Sequence, residues 1–444
     1  MKKSTIILSS ALVVAIGFSI YFHDLNDTSS TSLKFDSDRA FSELVSSVSK
    51  MNTALSKSVY STTPSYSISM LAEVYSLSET AKSNLAQLPN VNNDMAETYQ
   101  FISTVGDYSL AMMKKIANGD DLDNDEQSNI EMLAKKTDEL SQELSDIKTL
   151  YNSGDIEEYI LRVNVFDNFD EVENLEKSEL DSEIEPEAQE FATLIYDGPF
   201  SSHINKLEPE FLKDEYEISK EQAQNKVAEF LQTPAENVLF ISQIDGQIPV
   251  YKFQSSKEDD EISIDVTIKG GHILNFINYR EVSESTLNAQ QCVEIAKNML
   301  IEKGYINIIE TYYIDLKDTV TINFAFTQDG VVLYPDLLKI EIYKDDGTLA
   351  GVEARGYIMS HTEREDLTEE ISLSKAREVV SSKLEIVSEG MAIIPSSGQN
   401  EVLVYEFKCQ NENQDNYIVY VNAKTGQIQN ILILIEDETG TLTM

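Results

Sequence analysis

Two hydrophobic periods divide the chain. From Phe41 to Ile147 apolar residues recur every three or four positions. Beyond about residue 217 such stretches alternate with runs in which every second residue is apolar. The first period predicts four amphipathic helices. They carry Phe41, Leu44, Val45, Val48, Met51 and Leu55; then Leu71, Val74, Tyr75, Leu85 and Leu88; then Phe101, Ile102, Val105, Met112, Met113 and Ile116; and finally Ile130, Leu133, Thr137, Leu140, Leu144 and Ile147. Pro89-Asn90, Asn118-Gly119 and Ser153-Gly154 punctuate them. Connections this short fold consecutive helices back on one another, which predicts an all-α up-and-down bundle over 34–153.

The second period repeats as a unit. Ile218-Ser219-Lys220-Glu221-Gln222-Ala223, Leu287-Asn288-Ala289-Gln290-Gln291-Cys292 and Ile371-Ser372-Leu373-Ser374-Lys375-Ala376 each read apolar residue, helix cap, three mostly polar residues, small residue. Roughly 50–60 residues after each cap a strand-like run ends in a turn with glycine, and self-similarity at a fixed period marks tandem modules. The turns are Lys269-Gly270-Gly271, Asp345-Asp346-Gly347 and Lys424-Thr425-Gly426, where glycine permits positive φ. The strands before them, Ile262–Ile268, Leu338–Tyr343 and Tyr417–Val421, alternate apolar and polar in the manner of a sheet with one buried face. The economical solution is one helix packed on a small antiparallel sheet, an α+β module used three times, at 217–282, 285–360 and 367–437.

Composition adds an anchor and a constraint. Lys2 and Lys3 precede nineteen uncharged residues, Ser4 to Phe22, which as a helix would span about 28 Å, close to the ~30 Å of a hydrocarbon core. The apolar run continues past the only small-residue cleavage candidate, Ala15-Ile16-Gly17, so an uncleaved single-pass anchor over 1–23 is expected. The lysines before it place the N-terminus in the cytoplasm and the bulk of the chain outside. A net charge of −43 argues against nucleic acid as a partner. Asp155 to Glu190 holds fourteen acidic residues against Arg162 and Lys177, and reads as an acidic connector within 154–215. Cys292 stands where the other modules have Ala223 and Ala376, so it reads as a small buried apolar side chain rather than half of a Cys292–Cys409 disulfide.

Catalytic patterns are missing from the sequence. It has no phosphate-binding glycine loop, no dinucleotide fingerprint, no His-Glu-x-x-His and no nucleophile elbow. The histidines, His23, His203, His272 and His361, are far apart, and neither a metal nor another cofactor is expected. Asp121, Asp123 and Asp125 resemble a calcium loop only until the sixth position, Glu126, and the twelfth, Met132. They read instead as a polar loop capping the fourth helix. Three turn-like segments pair aromatics with charge: Tyr196-Asp197-Gly198-Pro199-Phe200, Tyr334-Pro335-Asp336 and Arg355-Gly356-Tyr357. Each could anchor in the protein's own core or in a partner, which makes Tyr196, Asp197, Pro199, Phe200, Tyr334, Asp336, Arg355 and Tyr357 the candidate partner-binding residues.

These segments also carry a resemblance. Together with Ala72–Tyr75, Gln87–Pro89, Phe101–Ser109, Leu194–Phe200, Asp329–Val331 and Ala354–His361, they make the chain similar to the YpeB family of spore germination proteins over nearly its whole length. The repeats resemble PepSY modules. The resemblance implies a non-enzymatic protein that holds or restrains a SleB-like cortex-lytic peptidoglycan hydrolase, anchored in a spore membrane with its modules on the cortex side. The acidic connector matches least. PepSY-like repeats alone would also suit a membrane-tethered peptidase inhibitor or envelope signalling module.

Overall fold

The computed structural model describes residues 30–88, 94–153, 208–257, 260–396, 401–437 and 440–443. The expected anchor, nearly all of the acidic connector, and the Tyr196–Phe200 segment lie outside the described residues. Among the described residues no helix is long and apolar enough to cross a membrane. The chain divides into two compact units, one helical and one rich in β-structure.

The helical unit consists of α1 (Ser30–Val59), α2 (Pro64–Leu85), α3 (Asp94–Ala117) and α4 (Asn124–Ser153). α2 packs on α1 and α3, and α4 packs on α1. Leu44, Val48, Met51, Leu55, Val74, Ile102, Val105, Leu133 and Leu144 are fully buried, and all belong to the predicted apolar stripes. α2 and α3 approach so closely that a side chain on Gly106 would overlap Ser78. The loop before α4 is a cap, as expected. Asp123 Oδ1 accepts from the N–H groups of Asp125 and Glu126 at 3.0 and 2.9 Å, and Glu126 Oε2 accepts from Asp123 N–H at 2.8 Å. Lys115 then closes on Glu126 at 2.6 Å.

Among its described residues the second unit holds thirteen strands in one sheet, ordered β1-β2-β3-β4-β8-β7-β6-β5-β13-β12-β11-β10-β9. The first module comprises α5 (Lys220–Leu231) with β1 (Val238–Ile244), β2 (Val250–Lys257), β3 (Asp260–Thr267) and β4 (Ile273–Tyr279). The second comprises α6 (Ala289–Glu302), β5 (Ile308–Asp315), β6 (Thr319–Gln328), β7 (Val331–Tyr343), β8 (Leu349–Glu353) and a short α7 (Arg355–Ser360). The third comprises α8 (Leu373–Val379), β9 (Glu385–Pro395), β10 (Glu401–Gln410), β11 (Asn416–Asn422), β12 (Ile428–Asp437) and β13 (Gly440–Thr443).

The repeated sequence motif has a packing reason. Ser219 and Asn288 each form a capping box, with Gln222 and Gln291 respectively. The apolar residue before each cap packs on the turn glycine. A Cβ on Gly271 would lie 2.5 Å from Ile218 Cδ1, and one on Gly347 would lie 3.2 Å from Leu287 Cδ1 and 2.8 Å from Ile295 Cδ1. Gly271, Gly347 and Gly426 all have positive φ, between 68° and 77°. Backbone bonds tie the same two segments together: Ile218 N–H to Ile268 O, Leu287 N–H to Lys344 O, and Ile371 N–H to Ala423 O. The small residue of the motif is fully buried in every module, as Ala223, Cys292 and Ala376. Both cysteines are free and buried, and burial pushes the Cys409 thiol up to about 12.

One expectation needs correction. The strand Tyr417–Val421 is buried on both faces rather than one. Its second face, with Ile418 and Tyr420, is covered by Val332 and Tyr334 from the start of β7. The helix of the third module, α8, is shorter than α5 and α6 and ends at Val379. Ser381 and Ser382 follow, and Ser381 Oγ accepts from Lys383 N–H at 3.3 Å, a local bond that competes with helix continuation.

Candidate functional site: the two junctions of the central module

The modules are fused at the edges of the central one. β4 pairs with β8 through Asn275↔Glu353, Phe276↔Val352 and Ile277↔Gly351. Leu349 and Val352 pack into the cores of both modules. On the other side, Val331–Leu333 of β7 pair in parallel with Met391–Ile393 of β9. Two clusters of charged side chains stand at these junctions.

The first cluster centres on Arg280, in the linker between the first two modules. Its guanidinium meets Asp345 through Nη1 at 2.8 Å and Nη2 at 2.6 Å, and Asp346 at 2.8 Å, and it lies 4.1 Å from the centre of the Tyr343 ring. The hydrogen bonds from Arg280, with help from Ser283, hold the Asp345 carboxyl well below the usual carboxylate range. The acidic pair sits in the turn that ends at Gly347, so the motif glycine also shapes the receptor for the linker arginine.

The second cluster centres on Asp336. Strand β7 bulges there, because Ala325 pairs with Leu337 and Phe326 with Leu333, which leaves Tyr334, Pro335 and Asp336 outside the β6 ladder. Proline has no N–H for a ladder, so a bulge is where a strand tolerates it. The bulge turns Asp336 inward to complete burial. Its two oxygens receive Arg364 Nη1 and Nη2, both at 2.6 Å, and His361 Nδ1 stands 2.8 Å from Oδ2. Arg364 also donates to Glu401 through Nε at 3.0 Å and Nη2 at 2.8 Å. Burial alone would lower the pKa of Arg364, but the bonds to Glu401 and Asp336 outweigh it and raise it. The His361 ring stacks on Tyr357 at 4.1 Å and meets Phe326 edge-on at 4.5 Å.

Of the candidate partner-binding residues, the structure brings Asp336 and Tyr357 together through His361. Tyr357 is buried, and burial, with Tyr305 and Asp336 nearby, raises its hydroxyl pKa. Gly356 is required beside it, since a Cβ there would come within 3.0 Å of Leu337 O. Tyr334 points to the third module and donates to Glu406 Oε2 at 2.6 Å, its pKa pushed up by burial and by that carboxylate. Arg355, partly exposed, reaches the first module and donates to Gln247 Oε1 at 2.6 Å. Tyr196, Asp197, Pro199 and Phe200 lie outside the described residues.

Sequence reasoning missed Arg280, Asp345, His361, Arg364 and Glu401. A signal was present, for Arg280 precedes the cap Asn288 by the same interval as Arg364 precedes Ser372. Phe211 holds that place before Ser219 and packs its ring 4.8 Å from His272 and 5.2 Å from Tyr357. As chemistry, both clusters are closed pairs of carboxylate and guanidinium that fix one module against another. Among the described residues no group of acidic, histidine and cysteine side chains is arranged to hold a metal ion.

Comparison with known proteins follows the same division. The model of the YpeB N-terminal region matches residues 26–158, that of the YpeB PepSY1 and PepSY2 domains matches 179–367, and that of the peptidase propeptide and YPEB domain matches 370–432. Sporulation protein YpeB of Oceanobacillus iheyensis is 23% identical over 429 residues, covering 94% of both chains. Its namesake in Halalkalibacterium halodurans is 24% identical over 410 residues, 90% of both, and that of Bacillus subtilis 22% over 404 residues, 88% of both. The solved Bacillus megaterium YpeB C-terminal domain aligns over 50% of this chain and 99% of its own, with a TM-score of 0.46 and 24% identity. With its helical N-terminal unit followed by PepSY modules, the chain belongs to the YpeB family of sporulation proteins.

Proposed function

We propose that this sporulation protein acts without catalysis, as a membrane-tethered holder of a SleB-like cortex-lytic peptidoglycan hydrolase that keeps the enzyme in the dormant spore and allows cortex degradation on germination. The anchor is Ser4–Phe22, with the modules on the cortex side of the spore membrane. The observation that carries this reading is the use made of the acid and base groups of the central module. Asp336, His361, Arg364 and Glu401 are bound to one another between modules rather than around a cleft. A single sheet braced in this way favours binding over a wide face, where affinity comes from pre-organisation rather than from one pocket.

The test is a spore strain lacking residues 217–444. The hydrolase, measured by immunoblot of dormant spores, should fall, because it loses the binding energy that protects it from unfolding and proteolysis. Cortex lysis after germination is triggered should slow, and a strain lacking the hydrolase should show less of this protein. Normal hydrolase levels and normal cortex lysis in the truncated strain would refute the reading.

A further inference from the structure

The sheet ends on two strands of opposite character. At one end β9 carries Glu385 and Glu389, the latter paired with Arg377, and its far part is covered by β7. Charge and cover are the usual protections of a sheet edge. At the other end β1 reads Val238-Leu239-Phe240-Ile241-Ser242-Gln243-Ile244, without a single charge, in a chain of which 25% is charged. Among the described residues it pairs only with β2. Leu239, Ile241 and Ile244 are 63%, 42% and 45% exposed.

The register shows how this edge is presented. Leu239 pairs with Gln254 and Ile244 with Val250, alternate positions of β2, so both side chains stand on one face, opposite the face where Phe240 meets Phe253. Ile241 bulges between Phe240 and Ser242 and has no register partner in β2. The outward backbone groups of an edge strand are satisfied by another strand, and apolar side chains at alternate places select what that strand carries. Glu236 precedes β1 and Asp245 follows it. Two copies of β1 placed antiparallel would bring Glu236 of one beside Asp245 of the other, and like charges directly opposite are unfavourable. The net charge of −43 opposes self-association further. Lys252, across from Ser242, stands in register with Asp265 on β3, and Lys220 lies over the Phe240 ring, on the face opposite Leu239 and Ile244.

We infer that β1 is a strand-addition site for an extended segment of another protein, one with apolar residues at alternate positions and lysine or arginine at its ends. The inference rests on strand chemistry alone and stands whether or not the hydrolase proposed above supplies the segment.

The test uses the full chain in detergent solution and a fluorescent synthetic peptide with valine and threonine alternating between pairs of lysines. Anisotropy should rise on mixing. The same peptide methylated on alternate backbone nitrogens should bind about tenfold or more weakly, because it cannot complete a ladder. A glutamate-flanked version should also lose affinity. The double variant Leu239→Lys/Ile244→Lys alters only exposed side chains and should lose the peptide by a similar factor while keeping the wild-type circular dichroism and melting temperature. No binding by the wild type, equal binding of the methylated peptide, or full binding by the folded double variant would overturn the assignment. So would a wild-type dimer in sedimentation that the double variant abolishes, since the edge would then belong to a second copy.

Discussion

The two junctions of the central module use the same device in different surroundings. In each, a linker arginine grips a carboxylate with two donors. At the first junction the Arg280 and Asp345 side chains are themselves only 13% and 5% exposed, but they sit in a turn with Asp346 half-exposed beside them. At the second, Asp336 is wholly buried, Arg364 is nearly so, and His361, Tyr357 and Phe326 enclose the pair. A buried pair owes less to net attraction than to the penalty of breaking it, since either partner left alone is an unpaired charge out of water. The first pair is bordered by the exposed Asp346 and Thr348 of its turn, so water can reach the place of a missing partner more easily. Equal geometry therefore predicts unequal consequences.

The largest effect should come from Arg364→Met, which leaves Asp336 buried beside His361 without its guanidinium. A loss of about 3–5 kcal/mol is expected in denaturant unfolding of the full chain. Asp336→Asn should destabilise in the same sense. A change below 1 kcal/mol would mean that water reaches the cluster.

Next come the turn glycines. Gly347→Val places a side chain against Ile295 and Leu287 at positive φ, and should cost on the order of 1–3 kcal/mol. Because the central module shares strands with both neighbours, limited proteolysis should then cut all three modules. Gly426→Val, whose Cβ would meet Ile371 only at 3.5 Å, should cost less and act mainly on the third module. Equal, purely local losses would show that the modules unfold independently despite their common sheet.

Arg280→Met should cost about 1.5–3 kcal/mol, the range for hydrogen bonds to a charged group. This loss should depend on pH. The Asp345 carboxyl is held low in the folded state by Arg280, so its contribution is fully present above the unfolded value of ~3.9 and disappears as pH falls below that toward the folded value. Wild type and Arg280→Met should therefore differ at pH 7 and converge in acid. Curves that stay parallel down to pH 2 would place the effect elsewhere than in this pair.

The contrast between the junctions was only partly legible in the sequence. Helix caps, turn glycines and the small residue of the motif are local features fixed by capping and φ preferences, and they matched the structure residue by residue from Ser219 to Gly426. The apolar stripes of the bundle did so at most positions, although Leu88 lies beyond the end of α2 and Tyr75, Met113 and Ile116 are only partly buried. Burial of both faces of Tyr417–Val421 was not readable, because alternation within one strand says nothing about a second element laid over its polar-looking side. The clusters were hidden for a related reason. Asp336 and Glu401 are far apart in sequence, and Arg364 joins them only once the bulge at Pro335 turns the carboxylate inward. Tyr334 and Tyr357 stood out in the sequence because an aromatic beside a turn suits a core or a partner equally. In the structure Tyr357 is buried in the central module and Tyr334 reaches Glu406 of the third module.

The most direct measurement is the amount of cortex hydrolase in dormant spores carrying Arg364→Met beside spores carrying Arg280→Met, with this protein quantified in the same samples. If a braced sheet is what holds the enzyme, Arg364→Met should deplete the hydrolase nearly as far as loss of residues 217–444, and Arg280→Met should deplete it less. Full hydrolase levels in Arg364→Met spores whose modules are shown by proteolysis to have come apart would contradict the account.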